Sequence, residues 1–413
     1  MIRNGRKSKL KDLFQDETLT LSRRECLERI FEAALASATL PLLLRESAYG
    51  ATAWEPASSN LYLQGGFVQR PIDYQPEEFV ASARYSNCRA FRLNISRNSL
   101  QEIDSKVPIH SLEVHPIQPN LTIATSRYGE TASLIDWSKG SEVKVLYLKN
   151  QLAFYGHGAF TADGKIFIAT VARRRPNGRF ANYSLVKIEV ERFKILETIP
   201  FSFGPNHDLV AYGNNQFAIG GGSEGEISSG TIADLITFDA TTGKFDKIAS
   251  PTFPSFDDGQ IGIRHILKKS PDLIVAGLTR ISEAQQKEGG FVEYNVKTKT
   301  SKLVTSLQAD AFHGELLSFD FARDGRMWVS LPESRKLIVW NERTKSVDSS
   351  ISFDESVRSV RTIENLPYVI VGTDKQFYAF DPITLRRIEA IDSLWPASHR
   401  NGHICSHTRF VRT

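Results

Sequence analysis

Six stretches of this chain follow one pattern, and repetition of this kind limits the fold more than any other feature. "VHPIQPNLTIATSRYGETASLIDWSKGSEVKVL" is followed by "AFTADGKIFIATVARRRPNGRFANYSLVKIEVERFKIL" and "LVAYGNNQFAIGGGSEGEISSGTIADLITFDATTGKF". Then come "ILKKSPDLIVAGLTRISEAQQKEGGFVEYNVKTKTSKL", "SFDFARDGRMWVSLPESRKLIVWNERTKSV" and "VRTIENLPYVIVGTDKQFYAFDPITLRRI". Each has a strand, a D-G-like turn, a second strand and a variable loop. A third strand ending near Y/F/W-D/N, a T-x-G/K turn and a short fourth strand complete the unit. Four short strands per repeat is the signature of a β-propeller blade. No amphipathic helix is expected after Leu44.

A ring of blades loses its free edges only if its two ends join. The segment "FVASARYSNCRAFRLNISRNSLQEID" is a partial copy before the six, and "GHICSHTRFV" is a lone strand after them. Pairing of that C-terminal strand with the N-terminal strands predicts an all-β, seven-bladed β-propeller of about 51 residues per blade, near the period of known propeller repeats. The expected domains are a signal peptide over 1–53, a linker over 54–78 and the propeller over 79–413. Closure puts Cys88 and Cys405 in one composite blade. A disulfide there requires Cα atoms within about 7 Å.

The N-terminal "TLSRRECLERIFEAALASATLPLLLRESAYGATAWEP" pairs Arg23 with Arg24 ahead of a moderately apolar run and small residues. It resembles a twin-arginine export signal, with Cys26 and Glu28 as departures. Ile30 to Leu44 is short and contains Glu32, so no stable membrane span is expected. The resemblance implies the twin-arginine export machinery as a partner and a periplasmic destination. An amphipathic helix of a cytoplasmic protein is the competing reading. Lys+Arg is 51 against Asp+Glu 47 over the 413 residues, a net charge of +4. The first 53 residues hold nine of those bases and seven of those acids, which leaves the rest nearly balanced. That balance argues against a nucleic-acid partner, which needs a basic stripe. The one basic cluster, "ARRRPNGRF" (172–180), falls where a hairpin loop is expected.

Histidines recur at the blade starts: His110, His157, His207, His265, His313 and His403, with Arg358 in the skipped place. Successive intervals are 47, 50, 58, 48 and 90 residues. The spacing predicts that six of the nine histidines share one structural position on the innermost strands, circling one mouth of the channel. Three uses follow. Two or three neighbouring imidazoles, with His157, His207 and His265 as the candidate ligands, can bind a transition metal, and Asp208 or Glu315 can add a carboxylate. The ring with Arg264 and Arg358 can instead bind an anion when protonated, or face a protein partner. A scaffolding role weighs equally, because repeated positions invite repeated hydrogen-bonding roles. The "GGSEG" stretch around Ser223 lacks the strand-to-helix turn that a nucleophile elbow requires.

The stretches "FVASARY", "PIHSLEVHP", "GHGAFTADGK", "GPNHDL", "IGIRHI", "RDGRMWVSLPESRKLIVW" and "NGHI", in this order, resemble the domain-of-unknown-function family 1513. Its members are twin-arginine-exported, propeller-like bacterial proteins often grouped with imelysin-type periplasmic iron-uptake proteins. The resemblance implies a periplasmic binding protein and a protein partner in an iron-uptake system. The family has no established reaction, so a transition-metal cofactor, iron or copper, at the histidine-lined mouth is an expectation from the histidine ring itself. A metal-dependent oxidoreductase at that mouth, or an interaction scaffold without a ligand, are the alternatives. Several positions depart from the family pattern: "TVARRR" replaces an acidic strand end, P-N-H-D at His207–Asp208 replaces P-H-E, N-G-H at His403 replaces D-N-H, and His313 replaces an aromatic.

Overall fold

The computed structural model describes residues 61–69, 86–94, 99–126, 128–176, 180–221, 234–251, 260–281, 287–305, 316–362, 368–374, 377–388, 402–404 and 409–412. The expected signal peptide, Ser223, His313, Glu315 and Cys405 lie outside them. The described residues belong to one unit, Ala57–Thr413, and none of their helices is long and apolar enough to cross a membrane.

The strands pair antiparallel in sheets that follow chain order. The first sheet, A, holds β1 (Leu61–Gln69), β2 (Ser86–Asn94) and β3 (Ser99–Asp104). Six four-stranded blades follow. Sheet B is β4 (Ile109–Val114), β5 (Leu121–Ser126), β6 (Thr131–Asp136) and β7 (Ser141–Tyr147). Sheet C is β8 (Leu152–Phe160), β9 (Ile166–Arg174), β10 (Phe180–Glu189) and β11 (Lys194–Pro200). Sheet D is β12 (Asn206–Ala211), β13 (Gln216–Gly221), β14 (Leu235–Asp239) and β15 (Lys244–Ile248). Sheet E is β16 (Gln260–Ser270), β17 (Leu273–Ile281), β18 (Lys287–Asn295) and β19 (Thr300–Leu303). Sheet F is β20 (Ser318–Phe321), β21 (Met327–Leu331), β22 (Lys336–Asn341) and β23 (Ser346–Ser352). Sheet G is β24 (Val357–Thr362), β25 (Val369–Thr373), β26 (Phe377–Phe380) and β27 (Arg387–Ile388). Finally β28 (Gly402–Ile404) and β29 (Arg409–Arg412) both pair with β1. The architecture is all-β and propeller-like.

Two expectations change here. The stretch expected as a linker, 54–78, contains β1, which lies between β2 and β28 in its sheet. The closing segment, expected as one strand, gives two. Ile404, next to Cys405, sits on β28 with β1 between it and the β2 of Cys88. The disulfide expected between Cys88 and Cys405 falls on a residue outside the described ones. Cys88 is buried, and burial pushes its thiol up to about 11.

The repeat pattern has a local cause at the hairpin joining third and fourth strands. Asp239 Oδ1 accepts the N–H groups of Thr241 and Thr242 at 2.8 and 3.0 Å. Asn295, Asn341 and Asp381 do the same for their own turns. Four residues after each stands a left-handed residue: Gly243 at φ 71°, then Lys299, Lys345 and Leu385 at 56–58°. An acidic or amide side chain that mimics a turn, followed by a left-handed position, is what D/N…T-x-G/K encodes.

Burial falls outward across each blade. The inner strands are closed on both faces, as in β25, while the outer β23 alternates exposed and half-buried residues. Consecutive sheets stack face to face. Phe154, Phe160, Phe167 and Ile188 fill the space between B and C; Phe217, Phe238, Ile168 and Leu185 fill that between C and D. Each such side chain contributes about 1.5–3 kcal/mol relative to exposure. The first strands are brought side by side, β4 against β8, β8 against β12 and β12 against β16.

His115 shows what a scaffolding histidine does in this fold. Its Nδ1 accepts the N–H groups of Ile117 and Gln118 at 3.1 and 3.0 Å, and its ring lies 5.2 Å from Phe160. Burial holds its pKa below the ordinary 6.5. The native state therefore resists a proton that the unfolded chain accepts, so this contribution is complete above pH 6.5 and lost as pH falls through the native value. Stability measured by urea unfolding is expected to drop between pH 7.5 and 5. The drop will be smaller in His115→Asn, whose Oδ1 can accept the same two N–H groups without titrating. An equal drop in both would remove His115 as the cause.

Candidate metal centre

The first strand of five blades breaks register at the residues of interest. The irregularities lie between Ile109 and Ser111, Phe154 and Gly158, Asn206 and Leu209, Ile263 and His265, and Val357 and Ser359. A β-bulge leaves an extra residue unpaired, bends its strand and redirects side chains. Resumed pairing aligns the blades: Leu112↔Ala124, Gly158↔Ala169, Leu209↔Ile219, Ile266↔Ala276 and Val360↔Val371. Counted back from there, His157, Asp208 and His265 share one position with Ser111, Ser318 and Ser359. His110, His207, Arg264 and Arg358 share the preceding one with Gly156. The histidines therefore occupy two adjacent positions, where equal spacing had predicted one.

The bulges bring four imidazoles from four consecutive sheets together. Nε2 of His157 and Nε2 of His207 are 3.3 Å apart. Ring centroids are 4.8 Å apart for His110–His157 and for His157–His207, and 5.6 Å for His110–His207. His265 lies 5.4 Å from His157 and 5.3 Å from His207. His157, His207, Asp208, Arg264 and His265 are all buried, at 0–4% exposure, and His110 is half-buried. The cluster is thus interior, where an open channel mouth was expected. The reason lies in the strands: β8 and β16 begin several residues before their histidines.

The cluster is held from behind. Thr170 donates its hydroxyl to the His157 carbonyl at 3.2 Å, and the Ile266 N–H donates to Asp208 Oδ2 at 2.8 Å. The same oxygen faces His265 Nδ1 at 3.5 Å. Gly156 permits the approach of β8 to β12, since a Cβ there would sit 1.7 Å from the His207 carbonyl oxygen. Arg358 is used differently: its guanidinium grips the Asp374 carboxylate at 2.7 and 3.2 Å within sheet G. His403 is on β28, opposite Val68. Spacing does not single out Asp374 or His115, whereas the G-H-G spelling around His157 is the sequence signal for Gly156.

Two sets of donors can hold a metal ion: His110, His157 and His207, and His157, Asp208 and His265, each with ligand atoms within 4.8 Å of one another. Two nitrogens on a tetrahedral ion at about 2.0–2.1 Å lie about 3.3–3.4 Å apart. The 3.3 Å between His157 and His207 meets that requirement. Two N–H groups cannot face each other at this distance, so one nitrogen accepts from the other or both lone pairs face a cation.

The family described as "Protein of unknown function (DUF1513)" matches residues 106–365. The chain belongs to the DUF1513 family. The match spans sheets B to F and the first strand of G, and includes all four clustered imidazoles. No curated protein matches this DUF1513 chain. Among solved structures, a chain of the Kuenenia stuttgartiensis hydrazine synthase is similar, with a TM-score of 0.54 at 11% identity, over 74% of the DUF1513 chain and 90% of its own length. At that identity the likeness concerns the fold.

Proposed function

We propose that this DUF1513 chain is an exported, periplasmic binding protein, built as a closed seven-bladed propeller, that holds one divalent transition ion at its imidazole cluster and serves in iron or copper handling. Three features support closure. The C-terminal β28 and β29 pair with β1, the Phe91 ring of sheet A meets Phe377 of sheet G at 5.5 Å, and β24 lies against β28. Export by the twin-arginine route rests on Arg23 and Arg24, and an iron-uptake partner rests on the family grouping.

Metal binding is carried by the 3.3 Å between two buried imidazole nitrogens. Imidazole and carboxylate donors suit copper(II), iron(II) and zinc. A second reading, a metal-dependent oxidoreductase, draws on the other donor set, because two histidines and a carboxylate form the facial arrangement of non-haem iron oxygenases. Metal analysis of the purified protein, reconstituted separately with iron, copper and zinc, tests the function. One ion per chain is expected, lost in the His157→Ala/His207→Ala variant while its circular dichroism stays that of the parent. A parent protein that retains no metal would leave an interaction scaffold.

A further inference from the structure

The two donor sets make different centres, and the structure discriminates between them. Asp208 and Ser318 hold the same register position in sheets D and F. Asp208 Oδ2 accepts the N–H of Ile266 in the next sheet at 2.8 Å, and Ser318 Oγ accepts the N–H of Val360 in the next sheet at 3.1 Å. Ile266 and Val360 are themselves equivalent. The oxygen at this position is thus a staple between neighbouring blades, and Asp208 performs the task that a serine performs two sheets later. The same carboxylate oxygen faces Nδ1 of His265, which favours a proton on that nitrogen and fixes the ring.

With Asp208 so engaged, the remaining set is His110, His157 and His207, three neutral nitrogen donors. A divalent ion held by them keeps its full charge in a buried site, where uncompensated charge is costly. Asp208 is the one carboxylate in the two donor sets, and buried Arg264, next to His265 on β16, adds a positive charge of its own. Three protein ligands on a tetrahedral ion also leave one position open. Of the three imidazoles only His110 is half-buried, so the site meets solvent on its side.

We infer that the cluster is a three-imidazole centre, His110–His157–His207, which takes a small exogenous anion as its remaining ligand, with Asp208 outside it, stapling β12 to β16 and orienting His265. The inference rests on the metal-binding function proposed above. The ligand class is a compact monoanion able to coordinate, such as hydroxide, a small carboxylate or azide.

The test uses the full chain loaded with copper(II), read by electron paramagnetic resonance and absorption during titration with azide. Nitrogen coupling from three imidazoles is expected, with a new charge-transfer band that saturates at one azide per copper. Asp208→Asn keeps an oxygen for the Ile266 N–H but loses its charge toward His265. It should retain one copper, the same nitrogen coupling and the azide band, because neither Asp208 nor His265 belongs to the ligand set. Two outcomes overturn the inference while metal binding stands: bound copper indifferent to azide, or a coordination sphere altered in Asp208→Asn. A wild-type chain that binds no copper, iron or zinc overturns both.

Discussion

Gly156→Ala is expected to force sheets C and D apart and to disable the metal centre with them. The added Cβ would stand 1.7 Å from the His207 carbonyl oxygen, 2.6 Å from its carbon and 3.0 Å from its Cα. These are backbone atoms, so no side-chain rotation relieves the overlap. β12 must retreat by more than an ångström at the residue whose imidazole lies 3.3 Å from that of His157. Overpacking of this kind costs about 1–3 kcal/mol, more where backbone must move. Urea unfolding should place the loss at or above the top of that range, and affinity for the probe metal should fall at least about tenfold. Gly243→Ala is the comparison: φ is 71° there, with nothing within 4 Å of the added atom. Its cost is the left-handed conformation alone, about 1–2 kcal/mol, and metal binding is untouched. Equal losses in both variants would remove the interblade contact as the cause.

Deletion of residues 402–413 is expected to have the largest effect on the fold as a whole. Those residues pair β1 at Phe67, Val68 and Gln69 through β28, and at Leu61, Tyr62, Leu63 and Gln64 through β29. Without them β1 becomes a free edge, its N–H and C=O groups open to any passing strand. The proposed ring also loses its closure, against a total stability of only about 5–15 kcal/mol for a typical domain. The truncated chain should elute as oligomers and aggregates in size-exclusion chromatography, and a synthetic 402–413 peptide should restore the monomer. A truncated chain that stays monomeric with an unchanged unfolding midpoint would show that the ring is not closed by its C-terminus.

The blades were legible because each repeat spells out its own turn chemistry. Asp239, Asn295, Asn341 and Asp381 with their left-handed partners recur at a readable interval. β1 was not legible: "LYLQGGFVQ" lacks those turns, and only its pairing with strands from both ends of the chain identifies it as part of a sheet. The gathering of His110, His157, His207 and His265 followed from spacing alone, whereas their register did not. A bulge adds one residue to a strand and moves a side chain to the next position, a change no larger than ordinary loop variation. Burial was misread for a related reason, since strand starts were placed by the histidines themselves. Spacing sets Arg358 in the histidine series, and the register puts it level with His110 and His207, yet alignment says nothing about Asp374, which takes its charge locally.

The imidazole cluster draws on four consecutive sheets, while the seam joins the two ends of the chain. All four imidazoles have been synthesised once residue 265 is made, and the last pairing strand ends at Arg412, 147 residues later. The candidate ligands are therefore born together, well before the C-terminal strands can pair with β1. Fraying of β28 and β29 from β1 meets the imidazole cluster at once on one side, where β1 lies against β4, the strand of His110, whereas on the other side sheets G and F stand before His265 of sheet E.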